Sequence, residues 1–210
     1  MRNKWWAMSS EEDSAKEFQP SRPLDDLITT HGSIRHIDNN IFFYSEVSLI
    51  SCSDLNRILR EVDVRLHQAK EIMAAESFVP TIHLRINSYG GDLFSSLSTV
   101  DTIRSLKSKV YTYVEGTAAS AATLISACGH RRFIGKNSWM LVHQLSSICQ
   151  GTFEQMEDDH TNNQRLMSLI KTFYKQYTKI PMKELDQILK RDLFMDSTTC
   201  LQHGLVDEVI

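Results

Sequence analysis

A serine at 120, a histidine at 143 and a glycine pair at 90 and 91 are the residues around which chemistry can be built in this sequence. Ser120 follows the apolar run VYTYV (110–114) and Gly116, and it stands near the start of the helical stretch TAASAATLISAC (117–128). Ala118, Ala119, Ala121 and Ala122 flank it, and neighbours that small leave room for another molecule to approach the hydroxyl. A helix start also offers free backbone N–H groups and positive dipole charge. Acyl transfer to a serine needs such donors, because an oxyanion develops beside the nucleophile. Taken alone, a serine in an alanine-rich helix start is usually a cap or a packing residue.

A general base and a group to orient it would complete that chemistry. In MLVHQ (140–144) His143 comes immediately after an apolar strand, where an imidazole can face Ser120 across neighbouring strand ends. By itself it reads equally as a satisfied histidine at a sheet edge. Asp192 in RDLF is a candidate orienting carboxylate, and spacing alone does not choose it over Asp186 or Asp196. Two oxyanion donors are required. The Ala121 amide is one, and the other belongs to the turn NSYGGD, where Gly90 and Gly91 allow close backbone approach.

The elements that must hold these residues follow from periodicity. Residues 1–24 are polar and read as a mobile arm, and residues 25–210 as one domain. LDDLITTHGS suggests a short helical turn, and NIFFYSEV (40–47) a first strand after the turn Asp38-Asn39-Asn40. Leu55, Ile58, Leu59, Val62, Leu66, Ala69, Ile72 and Met73 recur at three- and four-residue steps, so residues 53–76 form a helix with one buried face. TIHLRIN (81–87) is the next strand and 93–107 the next helix. VYTYV is a strand that Gly116 breaks, and the serine helix is closed by Gly129. Strands near RRFIG and over SWMLVHQ (138–144) follow. A helix spans about 153–177, and the very polar middle of that segment, EDDHTNNQR, suits a handle projecting from the core over about 144–177. MKELDQILKR makes a further helix, Gly204 ends a last one, and LVDEVI is a final strand. Strand–helix alternation of this kind predicts an α/β fold, a mostly parallel sheet layered with helices. Ligand chemistry then belongs at the strand carboxyl ends, where Gly90-Gly91, Ser120 and His143 all fall.

Composition narrows the partners. The chain has 210 residues and a net charge of −3, which gives no electrostatic reason for nucleic acid or an anionic membrane. No apolar run approaches a membrane span or a secretory signal. Cys52, Cys128, Cys149 and Cys200 show no CxxC pairing, and the eight histidines no HExxH spacing, so neither metal nor cofactor is indicated. The thiols read as reduced and structural, in a cytoplasmic protein.

Several motifs in one order raise the specificity. INSYGGD is similar to INSPGG, GTAASAATLIS to GxAASxGAxLL, MLVHQ to MIHQP, and QGT (150–152) to a QGQ that precedes a long helix. RDLFMDSTTCLQHGLVDEVI follows RDxFMsaeEAxxyGLvDxVi closely. From Ile41 to Ile210 the chain thus resembles the proteolytic subunit of the Clp protease, ClpP, of crotonase-like fold. The resemblance implies Ser120 as nucleophile, His143 as general base and Asp192 as its partner, with Gly91 and Ala121 as oxyanion amides. It implies a serine endopeptidase in face-stacked heptameric rings that cuts unfolded polypeptide inside a chamber. An extended peptide would lie between the glycine turn and residues 144–151, touching Gly90, Leu145 and Ser146. The family's motifs have proline where this chain has Tyr89 and Leu145, Met-Gly where it has Ala121-Ala122, and a glycine pair where it has Ser146-Ser147. In the family, two aromatics on the strand matching TIHLRIN help to dock an unfoldase. His83 and Arg85 stand there instead, which implies weak coupling to a ring ATPase.

Other readings follow from the same residues. A catalytically silent ring subunit usually lacks a triad residue, and none is missing. An acyl-CoA hydratase or isomerase of the same fold would use acidic catalysts where Ser120 and His143 stand, and a signal-peptide-peptidase type would use a lysine base and a membrane anchor.

Overall fold

The computed structural model describes residues 34–74 and 76–210. The expected mobile arm over 1–24 and helical turn in LDDLITTHGS lie outside the described residues. Among the described residues seven strands, β1 (Ile34–Ile37), β2 (Asn40–Phe43), β3 (Thr81–Ser88), β4 (Lys109–Ala119), β5 (Arg131–Ile134), β6 (Trp139–Leu141) and β7 (Glu208–Val209), form one sheet, ordered β1-β2-β3-β4-β5-β7, with β6 pairing the end of β4. All pairs are parallel except β1 (Ile34–Ile37) with β2 (Asn40–Phe43). The parallel α/β architecture read from the alternation of elements is therefore present. β1 was not anticipated. Its four residues are largely exposed at a sheet edge, and Asp38 (φ 53°) turns it back onto β2.

Helix α1 (Leu49–Ile72) begins four residues earlier than the apolar pattern suggested. Ser48 and Ser51 form a reciprocal capping box that starts it, while exposed Leu49 and Ile50 add nothing to its buried stripe. Leu55, Ile58, Leu59 and Val62 carry the buried face. β3 (Thr81–Ser88) alternates cleanly. Ile82, Leu84 and Ile86 enter the core, and His83 and Arg85 take the opposite face. Helix α2 (Leu93–Ser105) is capped by Asp92, whose carboxylate accepts the Ser95 N–H at 2.7 Å.

β4 (Lys109–Ala119) corrects the expectation that Gly116 ends the strand. Gly116 (φ 89°) sits instead in an irregularity that changes the strand's partners. Before it, Val114 pairs with Ile86 and Ile134; after it, Ala118 pairs with Ser88 and Met140. Donation from the Gly116 N–H to Ser138 Oγ at 2.8 Å replaces the interrupted ladder. The strand thereby runs on to the residue before Ser120.

Helix α3 (Ala121–Ala127) follows at once, and Cys128 rather than Gly129 is its C-cap. Gly129 is needed for space: a Cβ there would lie 2.6 Å from Thr112 Oγ1. β5 (Arg131–Ile134) is as expected, but β6 is only Trp139–Leu141, and residues 142–144 run on without a strand partner. Helix α4 (Phe153–Tyr177) matches its expected span and starts from a Thr152–Gln155 capping box. Residues 153–162 are all exposed, and burial begins in earnest at Ile170, Phe173 and Tyr174. Helices α5 (Met182–Ile188) and α6 (Ser197–Gln202) are shorter than the patterns implied, as is β7 (Glu208–Val209). Arg132 ties this ending to β5, pairing with Asp207 and donating to the Tyr177 and Gly204 carbonyls. Among the described residues no helix is long and apolar enough to cross a membrane.

Candidate active site

The strand ends set the geometry. Ala119 at the end of β4 pairs with Leu141 at the end of β6, and the Ser120 N–H donates to the Leu141 carbonyl at 2.8 Å. His143 lies two residues beyond Leu141, so one ladder positions both side chains. Ser120 has φ 53° and ψ −128°, a region that a residue with a Cβ rarely enters. Holding it there costs about 1–3 kcal/mol. Ser120 makes no capping hydrogen bond, so its hydroxyl is not spent on starting α3. The flanking alanines are buried, between 0 and 5 % exposed. Their small size allows close packing of the strand end and helix start around the serine.

Segment 189–195 is fastened along the histidine strand by backbone hydrogen bonds at both ends. The Gln144 N–H donates to the Leu189 carbonyl at 2.8 Å, and Met140 and Met195 exchange two bonds at 2.9 and 2.7 Å. Asp192 lies between these anchors, with Oδ1 3.3 Å from His143 Nδ1. The two aspartates that spacing left as alternatives are engaged elsewhere. Asp186 pairs with Lys171 at 2.7 Å, and Asp196 caps α6 through the Thr199 N–H. The Asp192 side chain is 80 % exposed and that of His143 is 21 % exposed. A contact so open to water is weak in this single chain.

The glycine turn reaches the same place from β3. Its backbone is pinned by Val47, whose N–H donates to the Gly90 carbonyl at 2.8 Å and whose carbonyl accepts the Asp92 N–H at 2.7 Å. Gly90 (φ 95°) packs directly under the serine. A Cβ on it would lie 2.5 Å from the Ala119 carbonyl oxygen and 2.7 Å from Ser120 Cβ. At Gly91 (φ 143°) a Cβ would be 2.2 Å from the Val47 carbonyl oxygen. Among the described residues, no intrachain acceptor takes the Gly91 or Ala121 N–H.

Ser120, His143, Gly91 and Ala121 line one groove of about 370 Å³. Leu145 and Ser146 also line it. Gly90 does not line it. It faces a separate depression beside Tyr44 and Tyr89, so its part is packing beneath Ser120 and not contact in the groove. The sequence reading missed the apolar floor formed by Phe94, Leu124, Leu166 and Ile170. Leu166 and Ile170 were visible as apolar positions of α4, but nothing local marks them as facing a serine. The outer wall is held to α4, since the Leu145 N–H meets Met167 Sδ at 3.1 Å and Asn163 donates to Ser147 Oγ at 2.8 Å.

On the opposite sheet face, the His83 ring meets the Tyr113 hydroxyl at 2.8 Å, and burial, then Arg85, lowers its pKa. Arg85 pairs with Glu115 and stands 5.0 Å over the Tyr113 ring. The Tyr44 hydroxyl donates to the same Glu115, and burial followed by that bond pushes its pKa up to about 12. Tyr113 stacks on Phe133 at 4.7 Å. The guanidinium is therefore satisfied, and aromatic surface persists around it. Cys128 and Cys200 are buried thiols with pKa pushed up to about 12, mainly by burial, which suits structural cysteines.

A parallel α/β sheet with a serine, a histidine, a carboxylate and free backbone amides at its strand ends is an arrangement suited to acyl transfer. Residues 55–210 match the Clp protease family, and the chain belongs to it. Its fold is that of a solved mutant of ClpP1 from Listeria monocytogenes, with a TM-score of 0.70, 19 % identity, and coverage of 89 % of this chain and 95 % of that one. The protein is thus a peptidase of the ClpP type.

Proposed function

We propose that the protein is a serine endopeptidase in which Ser120 is acylated, His143 is the general base and Asp192 orients it. The observation that carries this reading is the convergence of Ser120 and His143 on one groove, with Asp192 at 3.3 Å from the imidazole nitrogen. Asp192 accepts a hydrogen bond from the Nδ1–H without taking the proton, and so leaves Nε2 as the base toward Ser120. Attack by Oγ forms the acyl bond as the proton passes to the imidazole, which returns it to the leaving amine. The Gly91 and Ala121 amides, without intrachain acceptors, receive the oxyanion. Water then releases the acyl group, and no cofactor is required.

The groove lies between the glycine turn and residues 144–147, which suits an extended main chain as substrate. Sequence preference is then broad and folded proteins resist. A closed ring chamber fits both an exposed catalytic carboxylate and an exposed first half of α4, because assembly would cover them. Coupling to a ring ATPase is weak in this reading, since Arg85 and Glu115 place a charge pair where an apolar anchor would seat. Labelling with a fluorophosphonate and peptide mapping tests the assignment. Ser120→Ala should abolish both labelling and peptide hydrolysis, and labelling at another serine would refute it.

A further inference from the structure

The nucleophile's own carbonyl is held by a buried hydroxyl relay that reaches it from the far helix. Thr123 Oγ1 donates to the Ser120 carbonyl oxygen at 2.5 Å, and the Thr123 N–H donates to the same oxygen at 3.0 Å. Threonine bonding to a carbonyl three residues back is ordinary in helices. The third member is not ordinary. Tyr174, on α4 and only 2 % exposed, places its hydroxyl 2.5 Å from Thr123 Oγ1. Thr123 has one hydroxyl proton and spends it on Ser120, so Tyr174 is the donor of the second bond. Burial raises the phenol's pKa, which keeps that donor protonated.

The Ser120 carbonyl and the Ala121 N–H belong to one planar trans peptide, so they point in opposite directions. Fixing the oxygen inward fixes the N–H outward, and Ala121 lines the groove. Hydrogen bonds on the carbonyl also polarise the amide and strengthen its N–H as a donor. We propose that Tyr174 and Thr123 are positioning residues that aim and polarise the Ala121 oxyanion donor, linking the root of the projecting helix to the reacting peptide bond. This rests on the assignment of Ser120 as nucleophile.

The test compares Thr123→Val, Thr123→Ser, Tyr174→Phe and the double variant Thr123→Val/Tyr174→Phe, each checked for folding and size. Thr123→Val should lower kcat by ~10- to 100-fold, the scale of a misplaced catalytic group, with KM little changed. A peptide boronate, which forms a tetrahedral adduct on serine, should bind more weakly by the same factor. Thr123→Ser keeps the hydroxyl and should restore most of the turnover. Tyr174→Phe should give a smaller loss, and the double variant should match Thr123→Val because the members act in series. Thr123→Val labelling with fluorophosphonate and binding the boronate as wild type does would overturn the relay, as would additive losses in the double variant. Wild-type protein that neither labels nor cleaves would remove the Ser120 assignment itself, and the relay with it.

Discussion

Gly90→Ala isolates the close approach of the glycine turn to the serine. The added Cβ would begin 2.5 Å from the Ala119 carbonyl oxygen, 2.7 Å from Ser120 Cβ and 3.0 Å from the Ala121 nitrogen. Ordinary contact starts at 3.4 Å, so the turn and the serine must part by about 0.7–0.9 Å. All three atoms belong to backbone or to the nucleophile, and no flexible side chain is there to yield. Oxyanion donors work at 2.7–3.1 Å, and a separation of that size removes one of them. The expected loss is then ~10²–10³-fold in kcat, about 2.7–4 kcal/mol. Forcing alanine to φ 95° also costs about 1–3 kcal/mol of stability. Gly204→Ala supplies the comparison, because it shares the positive φ (64°) but its three nearest atoms would all belong to the Lys179 side chain. The assay is steady-state peptide hydrolysis beside thermal unfolding. Both variants should melt earlier, and only Gly90→Ala should lose kcat. A Gly90→Ala enzyme within ten-fold of wild-type kcat would refute the reasoning.

Asp192→Asn should lower kcat by up to ~10⁴-fold, whereas Asp186→Asn, which only breaks the pair with Lys171, should do far less; the reverse ranking in peptide hydrolysis would remove Asp192 from the mechanism. Phe153→Glu or Met156→Glu, on the exposed start of α4, should halve the mass of a double ring measured by light scattering. A wild-type protein that is a fully active monomer would contradict ring stacking through this helix. His83→Tyr with Arg85→Tyr should improve ATP-dependent degradation of a folded substrate by a partner unfoldase, and efficient degradation by the unmodified protein would show that the charge pair is no obstacle.

Much of the fold was legible because it is written locally. The apolar stripe from Leu55 to Val62, the alternation in Thr81–Ser88 and the apolar positions of Phe153–Tyr177 each carry their own signal. Glycine was the weakest guide. Gly116 looked like a strand breaker because its partner Ser138 is remote in sequence, and Gly129 looked like a cap because its crowding by Thr112 is a tertiary contact. The choice among three aspartates was illegible for the same reason. It depends on the bonds from Met140 and Gln144 to segment 189–195, which no spacing rule encodes. Ser120, His143 and Gly91 were visible as positions after strand ends, while Leu124, Tyr174 and Val47 became part of the site only when the chain closed around them.

The shape of helix α4 has a mechanical consequence. Its 25 residues span about 37 Å, and the portion before Ile170 accounts for about 25 Å of that. The buried trio Ile170, Phe173 and Tyr174 is therefore a fulcrum at one end of a long arm. A rotation of about 5° at the fulcrum carries the tip through about 2 Å, given that length. Read the other way, a load on the tip arrives at the fulcrum as a torque multiplied by the arm, and it arrives beside the hydroxyl of Tyr174.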